Sequence, residues 1–290
     1  MRIWLMAARV RTLPAALAPV LVGTALAVHV GRLHVLAFLA ALIGAVFIQV
    51  GTNLSNDYSD ARRGADQEDR LGPVRVTAGG LVPPRQVLIA TYVSFGVAVL
   101  VGVYLIAVAG WVVLALGAAS ILAGVLYTGG PRPYGYEGLG ELFVFLFFGI
   151  VAVTGSYYVQ RQHLPWEAFV LAVPVGLLAS AILVVNNVRD LETDRRASKR
   201  TLAVRLGRRR TRALYVAMLA GAYVTAQLPW LLGSLSPWLL APLLTVPLAV
   251  RLSRVVVSRT DGPALNGALA GTGALQLAFC LLLSASILLS

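Results

Sequence analysis

Acidic residues are scarce: aspartate and glutamate total 12 in a chain of 290 residues, against 24 lysines and arginines. Cysteine occurs once, as Cys280, which excludes an internal disulfide and a cysteine-built zinc site. The three histidines, His29, His34 and His163, fall in or beside one class of loops. They offer neither a clustered metal site nor an evident imidazole base. Charged residues make up 12% of the chain, about half the share of a soluble domain. A soluble globular fold is therefore excluded.

What fills the chain is apolar: 58% of residues are hydrophobic, and several runs reach the roughly 20 residues that cross a bilayer. About nine spans are expected, near 12–30, 33–54, 87–109, 111–127, 139–159, 167–187, 211–230, 236–252 and 267–289. The fold class is all-α, a polytopic transmembrane helical bundle forming one unit over residues 1–290. The first run lacks the short core and small-residue cleavage site of a signal peptide.

Charge alternates sharply between the loops. All lysines and arginines but Arg32 and Arg161 fall on the side of the amino terminus. The positive-inside rule puts that side in the cytoplasm and the carboxyl terminus outside, as in a bacterial inner membrane. The net charge of +12 then meets membrane lipid rather than nucleic acid, since no aromatics interleave the basic residues.

The few acids are not scattered. Eight of the 12 lie between Asp57 and Asp69 or between Asp190 and Asp194. The first cluster, Asn53-Leu54-Ser55-Asn56-Asp57-Tyr58-Ser59-Asp60, ends the second span. Asn53, Asp57 and Asp60 share a face if the helix continues. The second, Asn186-Asn187-Val188-Arg189-Asp190-Leu191-Glu192-Thr193-Asp194, ends the sixth, and Asn187, Asp190 and Asp194 again share a face. The likeness of the two hints at an internal duplication, which an odd span count fits imperfectly.

Other loop residues join them on the same side. Leu71-Gly72-Pro73-Val74-Arg75 and the glycines that follow let backbone and Arg75 approach phosphate oxygens, although a plain turn accounts for the glycines nearly as well. Lys199 and Arg205 follow the second cluster and suit phosphate contacts. Tyr127, Tyr134 and Tyr136 read as an aromatic belt. Glu141 fits either the bundle interior or a helix cap. Asn266 and Gln276 read as interhelical glue.

Hard divalent cations such as Mg2+ bind through a few carboxylates plus substrate phosphates. Two facing acidic clusters at a membrane mouth suit a metal-bridged diphosphate, and the apolar bundle below suits a long lipid tail. A polyprenyl diphosphate is the substrate this arrangement points to. A cation or lipid transporter is the competing reading, but it calls for polar groups through the midplane, which the spans lack.

The motifs Arg11-Thr12-Leu13-Pro14-Ala15-Ala16, Gln49 through Asp60, Leu71 through Arg75, Tyr127-Thr128-Gly129-Gly130-Pro131 and Asn186 through Asp194 resemble the UbiA superfamily of intramembrane prenyltransferases. They are most similar to its MenA branch. The resemblance implies nine helices around a central cavity. It also implies Mg2+-dependent transfer of a polyprenyl chain to 1,4-dihydroxy-2-naphthoate, with loss of diphosphate and CO2. Other acceptors used in the superfamily are 4-hydroxybenzoate, protohaem and chlorophyllide. Carried onto this chain, it makes Asp57, Asp60, Asp190 and Asp194 the metal ligands. Asn53, Asn56 and Asn187 support the metals or the diphosphate, Arg75 and Lys199 bind phosphate, and the Tyr127 ring faces the allylic cation. One departure stands out: the superfamily's further Asp four residues beyond Asp60 is Gly64 here, with Asp66 two residues on.

Overall fold

The computed structural model describes residues 2–65, 71–72 and 74–290; Asp66 and the Arg11 side chain lie outside the described residues. A short helix, α1 (Arg2–Ala8), precedes α2 (Pro14–His29). Then come α3 (Val35–Arg62), α4 (Pro84–Ala109), α5 (Trp111–Leu126) and α6 (Gly140–Arg161). The remaining helices are α7 (Trp166–Arg189), the short α8 (Leu191–Arg196), α9 (Leu202–Leu231), α10 (Pro237–Ser258) and α11 (Gly262–Leu288). The described residues contain no strand.

Among the described residues, seven helices are long and apolar enough to cross a membrane, and α2 and α5 are shorter apolar helices of 16 residues. At a rise of about 1.5 Å per residue, 16 residues cover roughly 24 Å. Seven of the about nine expected spans are thus met by helices of crossing length, and α2 and α5 fall where the spans 12–30 and 111–127 were expected. Their outer faces are lipid-like: Leu100, Trp111 and Leu244 are each at least 72% exposed, which a water-facing surface would not tolerate as a continuous patch.

The core is built around α7, which packs on α2, α6, α9 and α11. Leu171, Val175, Leu178, Ala181, Val184 and Val188 are fully enclosed. In lipid, burying apolar surface against another helix gains little, so close packing of small residues must hold the bundle. Gly149 shows this. It lies in the π-helical stretch Phe145–Val151 of α6, and a Cβ there would sit 2.6 Å from the Gly176 Cα of α7. Only glycine allows those backbones to touch.

Two helices differ from the expected spans in ways that matter for the mouth of the bundle. α3 runs on to Arg62, so the first acidic cluster forms its last turns. α9 starts at Leu202 rather than near 211 and breaks at Gly207, whose φ is 76°. The polar amide Gln276 is fully buried in α11, yet neither of its side-chain polar atoms has a partner among the described residues. It does not act as the expected glue. Asn266 does: it accepts from Arg189 Nη1 at 2.7 Å and donates to the Leu71 carbonyl at 2.9 Å.

Candidate active site

Because α3 stays helical through Arg62, the 4-then-3 spacing puts Asn53, Asp57 and Asp60 on one buried face. The second cluster is less regular. α7 stops at Arg189, Asp190 is the break residue, and α8 restarts at Leu191. Even so, Asn187, Asp190 and Asp194 reach the same place. The ten residues that the family resemblance marks, with Arg75, Tyr127 and Lys199 among them, border one cavity of about 940 Å³. Its lining follows α3 from Asp60 down to Ala41, about 28 Å at ~1.5 Å per residue. That approaches the roughly 30 Å of a bilayer's hydrocarbon core. The upper end is polar; the lower is lined by Ala, Gly, Val, Leu and Phe side chains.

Asp60 is the centre of the polar end. Its side chain is 2% exposed, so its charge needs partners. Tyr136 donates its hydroxyl to Oδ1 at 2.6 Å, and Arg75 Nη2 donates to Oδ2 at 3.2 Å. Lys199 Nζ lies 3.5 Å from Oδ2 and 4.8 Å from the centre of the Tyr136 ring. Asp60 therefore ties together three loops, those after α3, α5 and α8. Tyr136 was expected only in an aromatic belt; it is a hydrogen-bond donor to the site.

Asp190 has a different partner. The neighbouring Arg189 forks onto it, Nε to Oδ1 at 2.7 Å and Nη2 to Oδ2 at 2.5 Å. Arg189 also donates to Asn186 and Asn266. Sequence reasoning passed over Arg189, although an arginine beside a buried aspartate is a legible signal. Asp194 is half-buried, and its Oδ2 lies 3.5 Å from the Thr201 hydroxyl. Asn187 donates to Glu141 Oε1 at 2.8 Å. Glu141, only 4% exposed, is an interior residue rather than a helix cap.

The remaining expectations divide. Asn56 accepts from the Thr128 hydroxyl at 2.9 Å. Asn53 donates to the Ala8 carbonyl and the Thr12 hydroxyl at 3.0 and 3.2 Å, so it braces the turn between α1 and α2. Arg205 is corrected outright. It pairs with Glu137 at 3.0 Å on the surface and does not border the cavity.

Tyr127 opens an aromatic wall. Its ring meets Tyr134 edge-on at 5.5 Å, Tyr134 stacks on Phe143 at 3.9 Å, and Phe143 faces Phe147 at 6.1 Å. Burial raises the Tyr127 phenol well above its ordinary pKa, and Glu141, Tyr134, Asp60 and Asp194 push the same way. The phenol is therefore neutral at physiological pH.

The donor set fits Mg2+ in one specific manner. Among the described residues no three carboxylates converge on a point. Hard carboxylate and amide oxygens nevertheless line both sides of one chamber, and Mg2+ commonly takes one or two protein carboxylates with phosphates and water completing its shell.

Comparison with known proteins bears on the chain as a whole. The UbiA prenyltransferase family model matches residues 16–268. A 1,4-dihydroxy-2-naphthoate octaprenyltransferase of Mycobacterium tuberculosis is 43% identical over 284 residues, covering 98% of this chain and 96% of its own. The Escherichia coli protein of the same description is 40% identical, covering 91% and 87%. Among solved structures, a UbiA homolog from Archaeoglobus fulgidus bound to GPP and Mg2+ superposes with a TM-score of 0.66 at 13% identity, covering 98% of this chain and 99% of its own. With its helical bundle, its two acidic clusters on one chamber and these matches along nearly its full length, the chain belongs to the UbiA prenyltransferase family.

Proposed function

We propose that this chain is the prenyltransferase of menaquinone biosynthesis. It transfers a polyprenyl group from polyprenyl diphosphate to 1,4-dihydroxy-2-naphthoate, releasing diphosphate and CO2 and giving demethylmenaquinol, the reduced form of demethylmenaquinone. One observation carries the reading: both acidic clusters, with Arg75 and Lys199, border the polar end of a single cavity that continues as an apolar tunnel. The description of the 43% identical relative supports the acceptor.

The chain's own groups divide the work. Arg75 and Lys199 bind the phosphate oxygens. Asp60, Asp190 and Asp194, with Asn56 and Asn187, would hold Mg2+; the Archaeoglobus fulgidus homolog of the same fold is bound to GPP and Mg2+. Bound there, the metal supplies Lewis-acid stabilisation of the departing diphosphate, worth several kcal/mol. The tunnel aligns the tail and excludes water from the allylic cation. Tyr127 and the wall behind it present ring faces to that cation. Loss of the diphosphate precedes attack by the electron-rich ring carbon, whose carboxyl group leaves as CO2. The amino terminus and the polar mouth face the cytoplasm, and the whole of residues 1–290 forms one catalytic unit of the inner membrane.

The test uses purified protein with Mg2+, octaprenyl diphosphate and a panel of aromatic acceptors, read by mass spectrometry. Prenylated, decarboxylated naphthoate is the expected product. Transfer only to 4-hydroxybenzoate or to a porphyrin, or no transfer at all, overturns the assignment.

A further inference from the structure

The two aspartates of the first cluster, three residues apart and equally buried, do not have the same surroundings. Asp60 faces cations and a phenol. Asp57 faces backbone: Oδ1 accepts the Thr77 N–H at 2.9 Å and Oδ2 accepts the Val76 N–H at 3.1 Å. Both its oxygens are thus engaged by the two residues that directly follow Arg75. Its side chain is enclosed, with the residue 2% exposed.

The segment gripped in this way is a compact turn. The Gly79 N–H donates to the Arg75 carbonyl at 2.9 Å, and the amides of Leu81 and Val82 both reach the Val76 carbonyl. A Cβ on Gly79 would lie 2.8 Å from the Arg75 oxygen, so the closure requires glycine. The Val76 side chain is buried in a small apolar cluster with Ala7, Leu54, Val82 and Val87. Arg75 is therefore held on its carboxyl side by Asp57, at its own carbonyl by Gly79, and at its guanidinium by Asp60.

We infer that Asp57 is a positioning residue and not a metal ligand: its carboxylate clamps the backbone of Val76 and Thr77 and so sets the Arg75 guanidinium over the diphosphate pocket. The partners of Asp57 are backbone amides fixed by the turn, whereas the cationic partners of Asp60, Arg75 and Lys199, are side chains that a bound diphosphate would take over, freeing its oxygens for a metal. Within the first cluster the metal-binding role falls to Asp60, with Asn56 beside it. The inference rests on the reading of the chamber as a diphosphate site, and it sharpens which first-cluster residues do what.

Three measurements on the full-length protein in detergent test it. The first needs no ligand: trypsin cleavage after Arg75, followed by mass spectrometry. Asp57→Asn keeps the side-chain shape but sets an amide donor against a backbone donor. Cleavage there is expected to speed up at least tenfold, with Asp194→Asn as the unchanged control. The second is Mn2+ affinity by electron paramagnetic resonance, expected to stay within threefold of wild type in Asp57→Asn. The third is a double-mutant cycle on the KM for prenyl diphosphate. Asp57→Asn and Arg75→Ala should each raise it about tenfold, and the double variant no further. Unchanged proteolysis in Asp57→Asn, a tenfold loss of Mn2+ affinity in that variant, or additive effects in the cycle each overturn the inference. Failure of prenyl transfer to the naphthoate in wild type would instead overturn the assigned function and leave the proteolysis result standing.

Discussion

Replacing Asp60 by Asn removes one negative charge from a spot where two cations and a phenol converge. The carboxylate and its two cationic partners are at most 10% exposed. Breaking such a pair from one side typically costs about 3–5 kcal/mol, because the surviving charges stay buried. Here the cavity admits water to the released Arg75 and Lys199, so we expect a cost shifted below that range, about 2–4 kcal/mol. At roughly 2–4 °C per kcal/mol for a chain of comparable size, the apparent melting temperature should fall by about 4–16 °C. The comparison is made at one scan rate, since unfolding in detergent is often irreversible. The same charge logic predicts a gain. With EDTA present, Arg75 and Lys199 are no longer held by Asp60, so inorganic pyrophosphate should bind Asp60→Asn at least tenfold more tightly than wild type. Mg2+-dependent transfer should be lost. Isothermal titration and a thermal-shift series measure both effects on one preparation. A variant as stable as wild type that binds pyrophosphate no better would refute the view that Asp60 holds these cations in reserve.

Other perturbations probe separate links. Asp190→Asn should abolish Mg2+-dependent prenyl transfer in membranes while the protein still inserts, and full retained activity would remove Asp190 from the metal site. Chelation by EDTA should stop transfer in wild type, with Mg2+ restoring it. Tyr127→Phe should keep most of the activity, because the phenol is already neutral and only the ring is used. Tyr127→Leu should lose about 0.5–2 kcal/mol of transition-state stabilisation, roughly 2- to 30-fold in kcat. Gly149→Val puts a branched side chain where α6 and α7 touch. It should destabilise the bundle by at least about 1–3 kcal/mol, and an unchanged melting temperature would argue against that crossing.

How much of this was readable in advance follows from what leaves a mark on residue type. Long apolar runs mark helices, so all nine apolar segments were legible. A carboxylate in an apolar chain marks a site, and the spacing of Asn53, Asp57 and Asp60 marks one face. Those signals, together with the motifs that resemble the UbiA superfamily, led to ten residues that line one chamber. The end of α3 was set too early because polar residues looked like a loop; tertiary packing of a buried polar face overrode that. Tyr136 stayed ambiguous because a belt tyrosine and a site tyrosine are the same residue type, and only the fold of the loop after α5 brings its hydroxyl to Asp60. Asp57 was the hardest case. Its partners are the backbone amides of Val76 and Thr77, and every residue except proline carries an amide. A backbone partner writes nothing into the sequence, so two neighbouring aspartates that read alike take opposite roles. One faces the ligand, and the other holds the loop that meets it.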